Sequence, residues 1–221
     1  MGSASTILER ARLGYKYLSG ADLSRAELSG ADLSSAELED ANLNGAILNG
    51  AILCDADLTG ADLSNAKLIG ADLNYAKLLG AKLGGADLSG ANLDGVNLNG
   101  VNLRDANLIG ARLTNASVSA YLVGANLTGA NLRGALLMDS NLSGANLNGA
   151  KLTSATLHKA NLSGANLYGA DLSHADLEGA DLTSADLRHA NLNRANLNGA
   201  NLFEAQLDGA TMPDGKKYKA K

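Results

Sequence analysis

A leucine at every fifth position is the feature that most restricts how this chain of 221 residues can fold. The series begins at Leu18, runs to Leu113 and continues through Val118. There the spacing falls to four residues, and the five-residue spacing resumes at Leu122 and ends at Met212. Two positions before nearly every leucine stands a small residue, almost always alanine, so the unit is Ala-(Asp/Asn)-Leu-X-X. An internal repeat of this kind indicates a solenoid.

A five-residue period fits neither an α-helix, with 3.6 residues per turn, nor a flat β-strand, with two. Within each unit the alanine and the leucine are separated by one polar residue, which is typical of a strand. The last two residues are mostly Gly, Ser, Asn or Asp, which favour turns. We therefore expect each unit to form one side of a coil, with four units and twenty residues per turn. Alanine and leucine would point inward, and the other three residues outward.

Residues twenty apart would then lie next to each other on the surface, so their charges test the arrangement. Opposite charges stabilise neighbouring strands, and like charges destabilise them. The opposite charges expected to meet are Asp57–Lys77, Asp62–Lys82, Lys67–Asp87 and Lys151–Asp171, with Arg12–Asp32 if the early segment joins the coil. Glu37 over Asp57 is the one clear clash.

Two uncharged columns also follow from this spacing. The amides of one column can bond from coil to coil, because each carries a donor and an acceptor. Its members are Asn107, Asn126, Asn146 and Asn166. A corner column from Gly30 to Gly209 is glycine throughout except at His189. It predicts either a positive φ or a close approach of two backbones.

The two ends of the repeat need separate elements, since an open coil presents unpaired strand edges. Residues 1–17 are expected to form a tag-like start and a capping helix over Thr6–Leu13, with Thr6 and Glu9 as a capping box. Ile7, Leu8 and Ala11 would share the face that plugs the coil. Residues 18–212 form the solenoid, with a register break at 118–122. Residues 213–221 form a turn and a basic tail.

The repeat resembles the pentapeptide-repeat family, and most closely its cyanobacterial-type members, over residues 18–212. The period, the inward leucine, the small residue and the preceding Asp or Asn all match. The resemblance implies an all-β fold, a right-handed quadrilateral β-helix of about ten coils. At the usual spacing of about 4.8 Å between strands, the rod would be roughly 45–50 Å long.

Residues that could carry out chemistry are present but not gathered. His158, His174 and His189 are all outward, and none has a second His or a Cys at the spacing of metal ligands. Cys54 is next to Asp55, and a neighbouring carboxylate raises rather than lowers a thiol pKa. A filled tube has no cleft in which a carboxyl group could be tuned for catalysis. We therefore expect no enzyme activity, no catalytic residue, no metal and no cofactor.

The composition excludes several kinds of partner. With 23 acidic and 18 basic side chains the net charge is −5, which argues against nucleic-acid binding. No apolar run approaches the roughly 18 residues of a membrane span. The single cysteine excludes an internal disulfide framework. We expect a cytoplasmic protein, or a lumenal or periplasmic one if a targeting segment has been removed.

The register break is the candidate binding site. Tyr121 stands where Asp or Asn is usual, Val123 is outward beside it, and Leu136 and Met138 are outward one coil later. Clustered exposed apolar groups are typical of a protein-binding patch. The alternative is a tolerated deletion with local repacking. A second apolar set on the first half is spread over several sides, which indicates scatter without function. Phe203 could serve end-to-end dimerisation, so a monomer and an end-to-end dimer both stay open.

Three functions compete. The first is a non-enzymatic scaffold, a rigid rod that binds an unidentified protein partner. The second is mimicry of DNA, because quinolone-resistance members of the family resemble duplex DNA and bind type II topoisomerases such as gyrase. DNA carries one charge per about 1.7 Å, far denser than a net of −5 on such a rod. The third is a structural spacer or an engineered repeat protein.

Overall fold

A computed structural model describes residues 4–219, with side chains from residue 7 onward. Residues 1–3 of the tag-like start and residues 220–221 of the tail lie outside the described residues. Helix α1 spans Ala4–Arg12, two residues earlier than predicted at its start and one at its end. Thr6 lies inside the helix, so the predicted capping box is wrong. The first-turn residues include no glycine or proline that would delay the helix start.

After the helix, residues 17–211 form a coil held by isolated parallel β-bridges between successive turns. The bridged residues are those before each inward leucine or its replacement. They fall into four columns of ten, which define four sides. Side 1 runs from Tyr17 to Asn196, side 2 from Asp22 to Asn201, side 3 from Glu27 to Gln206 and side 4 from Asp32 to Thr211. Corner 1 follows side 1, and the other corners are numbered likewise.

Each side bonds to the coil before it and to the coil after it. Leu23 N donates to Asn42 O at 2.8 Å, and Asn42 N donates back to Ala21 O at 2.9 Å. The same two bonds recur at most levels of the rod, which pairs most of the backbone of interior coils without long strands. A residue on a side is therefore the direct neighbour of the residue twenty positions away, as the repeat predicts.

The core is a stack of leucine and alanine from all four sides. Leu33 through Leu192 are buried at the inward positions, with Val118 in place of one leucine. Ser140 replaces one alanine and is also buried, and its hydroxyl donates to Leu137 O at 2.7 Å. No buried side-chain nitrogen or oxygen among the described residues lacks a hydrogen-bond partner. Each buried leucine contributes about 1.5–3 kcal/mol to the gross burial energy, so the repeat needs no aromatic core.

The polar residue before each leucine sets the corner that follows. Its side-chain oxygen accepts the N–H two residues on, as Asp22 Oδ1 does from Ser24 N at 3.1 Å. This local bond favours Asp and Asn at the position. The second corner residue then has a positive φ. Gly50 has φ 63° and its missing Cβ would meet nothing within 4 Å, so the glycine column reflects φ and not close approach.

The predicted ladder of asparagine amides is wrong. Asn107, Asn126, Asn146 and Asn166 are successive neighbours on side 3, as expected. Their oxygens, however, accept the N–H of their own corner, for example Asn126 Oδ1 from Thr128 N at 3.2 Å. Amide bonds between coils run instead from Asn to Asp, for example from Asn107 Nδ2 to Asp87 Oδ1 at 3.1 Å.

Of the predicted charge pairs, Asp57–Lys77 is confirmed, at 2.9 Å. Asp62–Lys82, Lys67–Asp87 and Lys151–Asp171 are neighbours on their sides but make no ion pair within residues 4–219. In each, the carboxylate accepts the N–H of its own corner. The Asp57 carboxylate also accepts its corner N–H, from Thr59 at 3.1 Å, and binds Lys77 with its other oxygen, so the corner bond alone does not decide whether an ion pair forms.

The predicted pair Arg12–Asp32 is also wrong. Lys16 pairs with Asp32 at 3.3 Å. Arg12 instead donates from Nε to the backbone oxygen of Glu27 at 3.0 Å, because α1 lies across the start of the coil and is not part of it.

The two ends of the coil are covered differently. At the start, Ala11 is buried and Ile7 and Leu8 pack against the core. At the other end the chain turns back, so that Thr211 and Lys217 form an antiparallel bridge on side 4. Apolar residues of the last coil, such as Leu202, stay partly exposed. None of the described helical residues forms a segment long and apolar enough to span a membrane.

Candidate protein-binding surface

Corner 1 of the sixth coil, counted from Leu18, is one residue short. Elsewhere the alanine N–H after a corner bonds three residues back, as Ala116 N does to Leu113 O at 3.1 Å. Here Ala120 N bonds only two residues back, to Val118 O at 2.8 Å. Ser119 is the single corner residue that remains. The bridge spacing is nineteen at this level, and all four sides continue in register beyond it.

A side chain replaces the backbone donor that the short corner lacks. In an ordinary corner the second residue donates its N–H to the next coil, as Asp139 N does to His158 O at 3.1 Å. The short corner lacks this second residue and its N–H. The hydroxyl of Ser119 donates to Met138 O at 2.7 Å instead. The missing residue is therefore compensated by one hydrogen bond, and the rod stays continuous through the break.

Three of the four predicted patch residues, Tyr121, Leu136 and Met138, lie around corner 1. Leu136 is on side 1 and Met138 on corner 1, both outward, with buried Leu137 between them. Tyr121 is on side 2, two residues beyond Ser119, whose hydroxyl donates to the backbone oxygen of Met138. The exposed fractions of Tyr121, Leu136 and Met138 are 57%, 45% and 44%. Val123 is farther on, at corner 2, and is half-buried.

We call these four residues, Tyr121, Val123, Leu136 and Met138, the break patch. The bridge neighbours of Leu136 and Tyr121 are uncharged. Ser117 and Thr156 are the bridge neighbours of Leu136, and Asn102 and Asn141 those of Tyr121. An apolar centre with a neutral polar border is typical of a protein-binding surface.

Charge around the break is a feature that the sequence reasoning missed. Between Asp105 and Asp171 the chain has one carboxylate, Asp139. The same stretch has four cationic side chains: Arg112, Arg133, Lys151 and Lys159. None of them lies on side 2 or side 3, where residues 121–129, 141–149 and 161–169 carry no charge. Counting charges by column, and not only over the chain, would have found this asymmetry.

The apolar residues of the first half are exposed but dispersed. The first corner positions hold Ile69 and Ile109 on corner 3, two coils apart with Ser89 between them, and Leu79 on corner 1. Their exposed fractions are 45%, 43% and 66%. Their exposed fractions are similar to those of Tyr121, Leu136 and Met138, but they are not clustered, which makes them suitable controls.

A polar cluster lies on side 3 and corner 3 near the C-terminal end of the rod. Arg188 bonds both oxygens of Asp186, at 2.9 and 2.7 Å, and lies over the Tyr168 ring at 5.7 Å. This bond from Arg188 lowers the pKa of the Asp186 carboxyl below its ordinary value. The ring of His189 meets Tyr168 edge-on at 5.2 Å. Tyr168 is 40% exposed, so Arg188 and His189 cover its ring only in part.

Side chains suited to catalysis or metal binding are not brought together in the part of the chain described. No group of three or more His, Cys, Asp or Glu residues within 4–219 could hold a metal ion. Cys54 is a half-buried free thiol on corner 4. The surface depressions are shallow grooves, one of them between Tyr75 and Asn115 beside the Arg112–Asp94 ion pair.

Comparison with known proteins shows that the chain is similar to pentapeptide repeat proteins. The family described as Pentapeptide repeats matches residues 8–40, 36–74, 81–119, 120–158, 145–183 and 180–214. Among solved structures, the chain is 38% identical to HetL, a pentapeptide repeat protein involved in heterocyst differentiation regulation from the cyanobacterium Nostoc sp. strain PCC 7120. That match covers 97% of this chain and 98% of HetL, with a TM-score of 0.80.

Two other solved structures match less of the chain. The chain is 51% identical to alr5209, a pentapeptide repeat protein from Nostoc PCC 7120, over 36% of this chain and 66% of that one, with a TM-score of 0.36. It is 22% identical to QnrB1, a plasmid-mediated fluoroquinolone resistance protein, over 72% of this chain and 85% of that one, with a TM-score of 0.47. No curated protein matches the chain.

Proposed function

Because the chain belongs to the pentapeptide repeat family, we propose that it is a non-enzymatic scaffold whose rigid rod binds a protein partner through the break patch. Family membership also supports the right-handed quadrilateral β-helix expected from the resemblance. The observation that carries the proposal is the exposed apolar group around corner 1, at the only level of the rod where the bridge spacing departs from twenty among the described residues.

The filled core restricts function to the outer surface. Leucine and alanine from four sides occupy the interior, and the hydrogen bonds between coils pair most of the backbone of interior coils. Such a body holds surface side chains in fixed positions, which lowers the entropy cost of binding. Tyr121, Leu136 and Met138 are the large residues that this rigidity would present together.

The charge distribution does not favour mimicry of DNA. A mimic needs closely spaced negative charge along its length, since duplex DNA carries one charge per about 1.7 Å. The middle of this rod has a single carboxylate between Asp105 and Asp171, and Lys77 neutralises Asp57 nearer the start. The acidic residues are therefore concentrated towards the two ends and do not form a continuous stripe.

The proposed oligomeric state is a monomer or an end-to-end dimer. Phe203 is 66% exposed on the last coil, where Leu202 and its neighbours are only partly covered. Sedimentation of the protein and of Phe203→Ser decides between the two states, since only a dimer through this end would lose mass on substitution.

Affinity capture from a lysate of the source organism tests the scaffold function. The test variant carries Tyr121→Asn, Val123→Ser, Leu136→Asn and Met138→Ser, which place residues common at those repeat positions and keep the fold. The control variant carries Ile69→Ser, Leu79→Thr and Ile109→Thr, which removes three large exposed apolar side chains elsewhere, the same number of such side chains as Tyr121, Leu136 and Met138. We expect a partner protein that the control retains and the test variant loses.

The other outcomes are distinct. A partner retained equally by both variants would place the binding surface away from the break. Retention of a topoisomerase subunit through acidic residues would instead support mimicry of DNA. The absence of any specifically retained protein would favour a spacer.

A further inference from the structure

We propose that the break patch binds an acidic polypeptide segment whose carboxylates contact Arg133 and Lys151 while its apolar side chains cover Leu136 and Met138. This inference rests on the proposed function and adds the chemistry of the partner. It comes from the combination of exposed apolar residues with uncompensated positive charge on one flank, in a rod that is otherwise acidic.

The middle of the rod carries a net positive charge, and its cationic side chains lie on side 4, corner 4 and corner 1. Residues 106–170 contain four cationic side chains and one carboxylate, a net of +3. Subtracting this from the total of −5 leaves −8 for the rest of the chain. A partner with negative charge is therefore attracted to this level of the rod and repelled from the acidic coils on either side of it, which positions it along the axis.

Three of these cations, Arg133, Lys151 and Lys159, lack a carboxylate partner among the described residues, and the first two lie on the flank that precedes Leu136. Arg112 is neutralised by an ion pair with Asp94. In contrast, no carboxylate of residues 4–219 pairs with Arg133 or Lys151. Both side chains are exposed, so their charges are available to a partner.

Lys151 is left without a partner because its neighbour Asp171 is already occupied. Asp171 accepts bonds from Thr153 Oγ1 at 2.8 Å, Ser173 Oγ at 2.7 Å and Asn191 Nδ2 at 3.0 Å. Burial of Asp171 acts against ionisation, but these bonds outweigh it, so the pKa of the carboxyl lies below its ordinary value. The carboxylate therefore stays charged without the lysine.

The unpaired cations lie beside the apolar residues. Arg133 is on corner 4, three residues before Leu136, so the chain passes from the guanidinium directly onto side 1. Gly134 N bonds Thr153 O at 3.1 Å, which brings the coil of Lys151 against that of Arg133. A bound segment can thus meet cations at corner 4 and side 4, and apolar groups at side 1 and corner 1.

The remaining surroundings contain one carboxylate next to the apolar residues and one cation at the same position of the following coil. Asp139 follows Met138, and Lys159 takes the same position of corner 1 one coil later. On the far flank, the border of Tyr121 is formed by neutral asparagines. A nucleic acid fits this surface less well, because two separated cations match few phosphates and the exposed leucine and methionine would stay unburied.

Selection from a random peptide library displayed on phage, with the full-length protein immobilised, tests the inference. We expect the enriched peptides to combine Asp or Glu with large apolar residues. The affinity of the most enriched peptide is then measured by fluorescence anisotropy against variants, at low and at physiological salt. Arg133→Glu with Lys151→Glu should weaken binding by about tenfold or more, and added salt should weaken wild-type binding.

The matched control is Lys67→Glu with Lys82→Glu, an equal charge reversal at exposed lysines that also make no ion pair among the described residues. It should leave binding within about twofold of wild type, because charges separated by more than a Debye length are largely screened. Equal losses in the two reversed variants would overturn the inference, since the effect would then come from net charge alone.

The outcomes separate the inference from the function on which it rests. Enriched peptides that lose binding with Leu136→Asn and Met138→Ser but show no acidic excess would overturn the inference and leave the scaffold function standing. Peptides indifferent to both sets of variants, or no enrichment at all, would overturn both. Tighter binding of a single-stranded oligonucleotide at the same residues, or self-association lost with Arg133→Glu, would also overturn the inference.

Discussion

Arg12 donates from its Nε to the backbone oxygen of Glu27 at 3.0 Å, at the exposed edge of the first coil. In the interior such an oxygen accepts an N–H from the preceding coil, as Asn42 O does from Leu23 N. Lys16 makes the same kind of contact with Asp32 O at 3.2 Å. Long cationic side chains thus occupy acceptors that the first coil would otherwise offer to another chain.

Removal of these contacts should promote association. We expect Arg12→Met with Lys16→Met to self-associate as concentration rises, because the edge acceptors of side 3 and side 4 become available. Analytical ultracentrifugation measures the effect. Arg10→Met is the control, since Arg10 lies over the Tyr15 ring at 5.3 Å and bonds no edge oxygen in the described part of the chain. Self-association of Arg10→Met without self-association of the double variant would contradict the proposal that Arg12 and Lys16 protect the edge.

The short corner should depend on one hydroxyl. Ser119→Ala removes the donor to Met138 O and should lower the free energy of unfolding by about 1 kcal/mol. Denaturant titration provides the measurement. Ser143→Ala in the next coil is matched, because the Ser143 hydroxyl makes no hydrogen bond within residues 4–219, and it should cost clearly less. If the two variants were equally stable, the hydroxyl would not be a significant replacement for the missing residue.

The cost of a core deletion should depend on its distance from the end. Leu98 is fully buried in the fifth coil, so Leu98→Ala should cost about 2–5 kcal/mol. Leu202 is only partly buried in the last coil, and Leu202→Ala should cost less. Because each coil contacts only its neighbours, Leu98→Ala should also reduce the cooperativity of unfolding. Denaturant midpoints and slopes test this, and equal midpoints would argue against it.

The carboxyl of Asp32 should titrate well below its ordinary pKa. The Ser34 hydroxyl at 2.6 Å, the Ser34 N–H at 3.0 Å and Lys16 lower the pKa of Asp32 from 3.8 to about 2. A folded pKa below the unfolded value stabilises the fold above pH 3.8, and this contribution is lost as pH falls towards 2. Ser34→Ala should raise the pKa of Asp32 in an NMR titration.

A serine without these contacts provides the comparison for that titration. Ser29 is on the neighbouring corner of the first coil and its hydroxyl makes no hydrogen bond among the described residues. Ser29→Ala should leave the pKa of Asp32 unchanged. The stability difference between wild type and Ser34→Ala should shrink as pH falls through 2 and disappear below it, and a difference that persists well below pH 2 would show a cause other than ionisation.

The repeat predicts the core and the neighbours on each side because both follow from spacing alone. Leu33, Leu98 and Leu187 are buried for the same reason, and Asp57 meets Lys77 because they are twenty residues apart. Side-chain pairing is less predictable. Two donors are available to each Asp carboxylate, the nearby corner N–H and a distant lysine, and an exposed ion pair contributes only about 0–1 kcal/mol.

At the break, too, the sequence predicts the residue positions but not all of the hydrogen bonds. The change of spacing at Val118 is visible in the sequence, and so is the apolar character of Tyr121 and Met138. The bond from Ser119 to Met138 O is not, because it depends on which backbone N–H the shorter corner removes. The position of Arg133 beside Leu136 could have been read from the columns once the four sides were assigned.

The short corner also indicates where the chain can change in length. A residue lost within a side would turn the following leucine outward, because side chains there alternate between inside and outside. At Ser119 a residue is missing and the inward series nevertheless continues from Val118 to Leu122. Corners therefore accommodate evolutionary deletions, and by the same geometry they could accept an inserted epitope or fluorescent tag. The inserted segment would leave the rod at the corner and return to it, with every side beyond still in its original orientation.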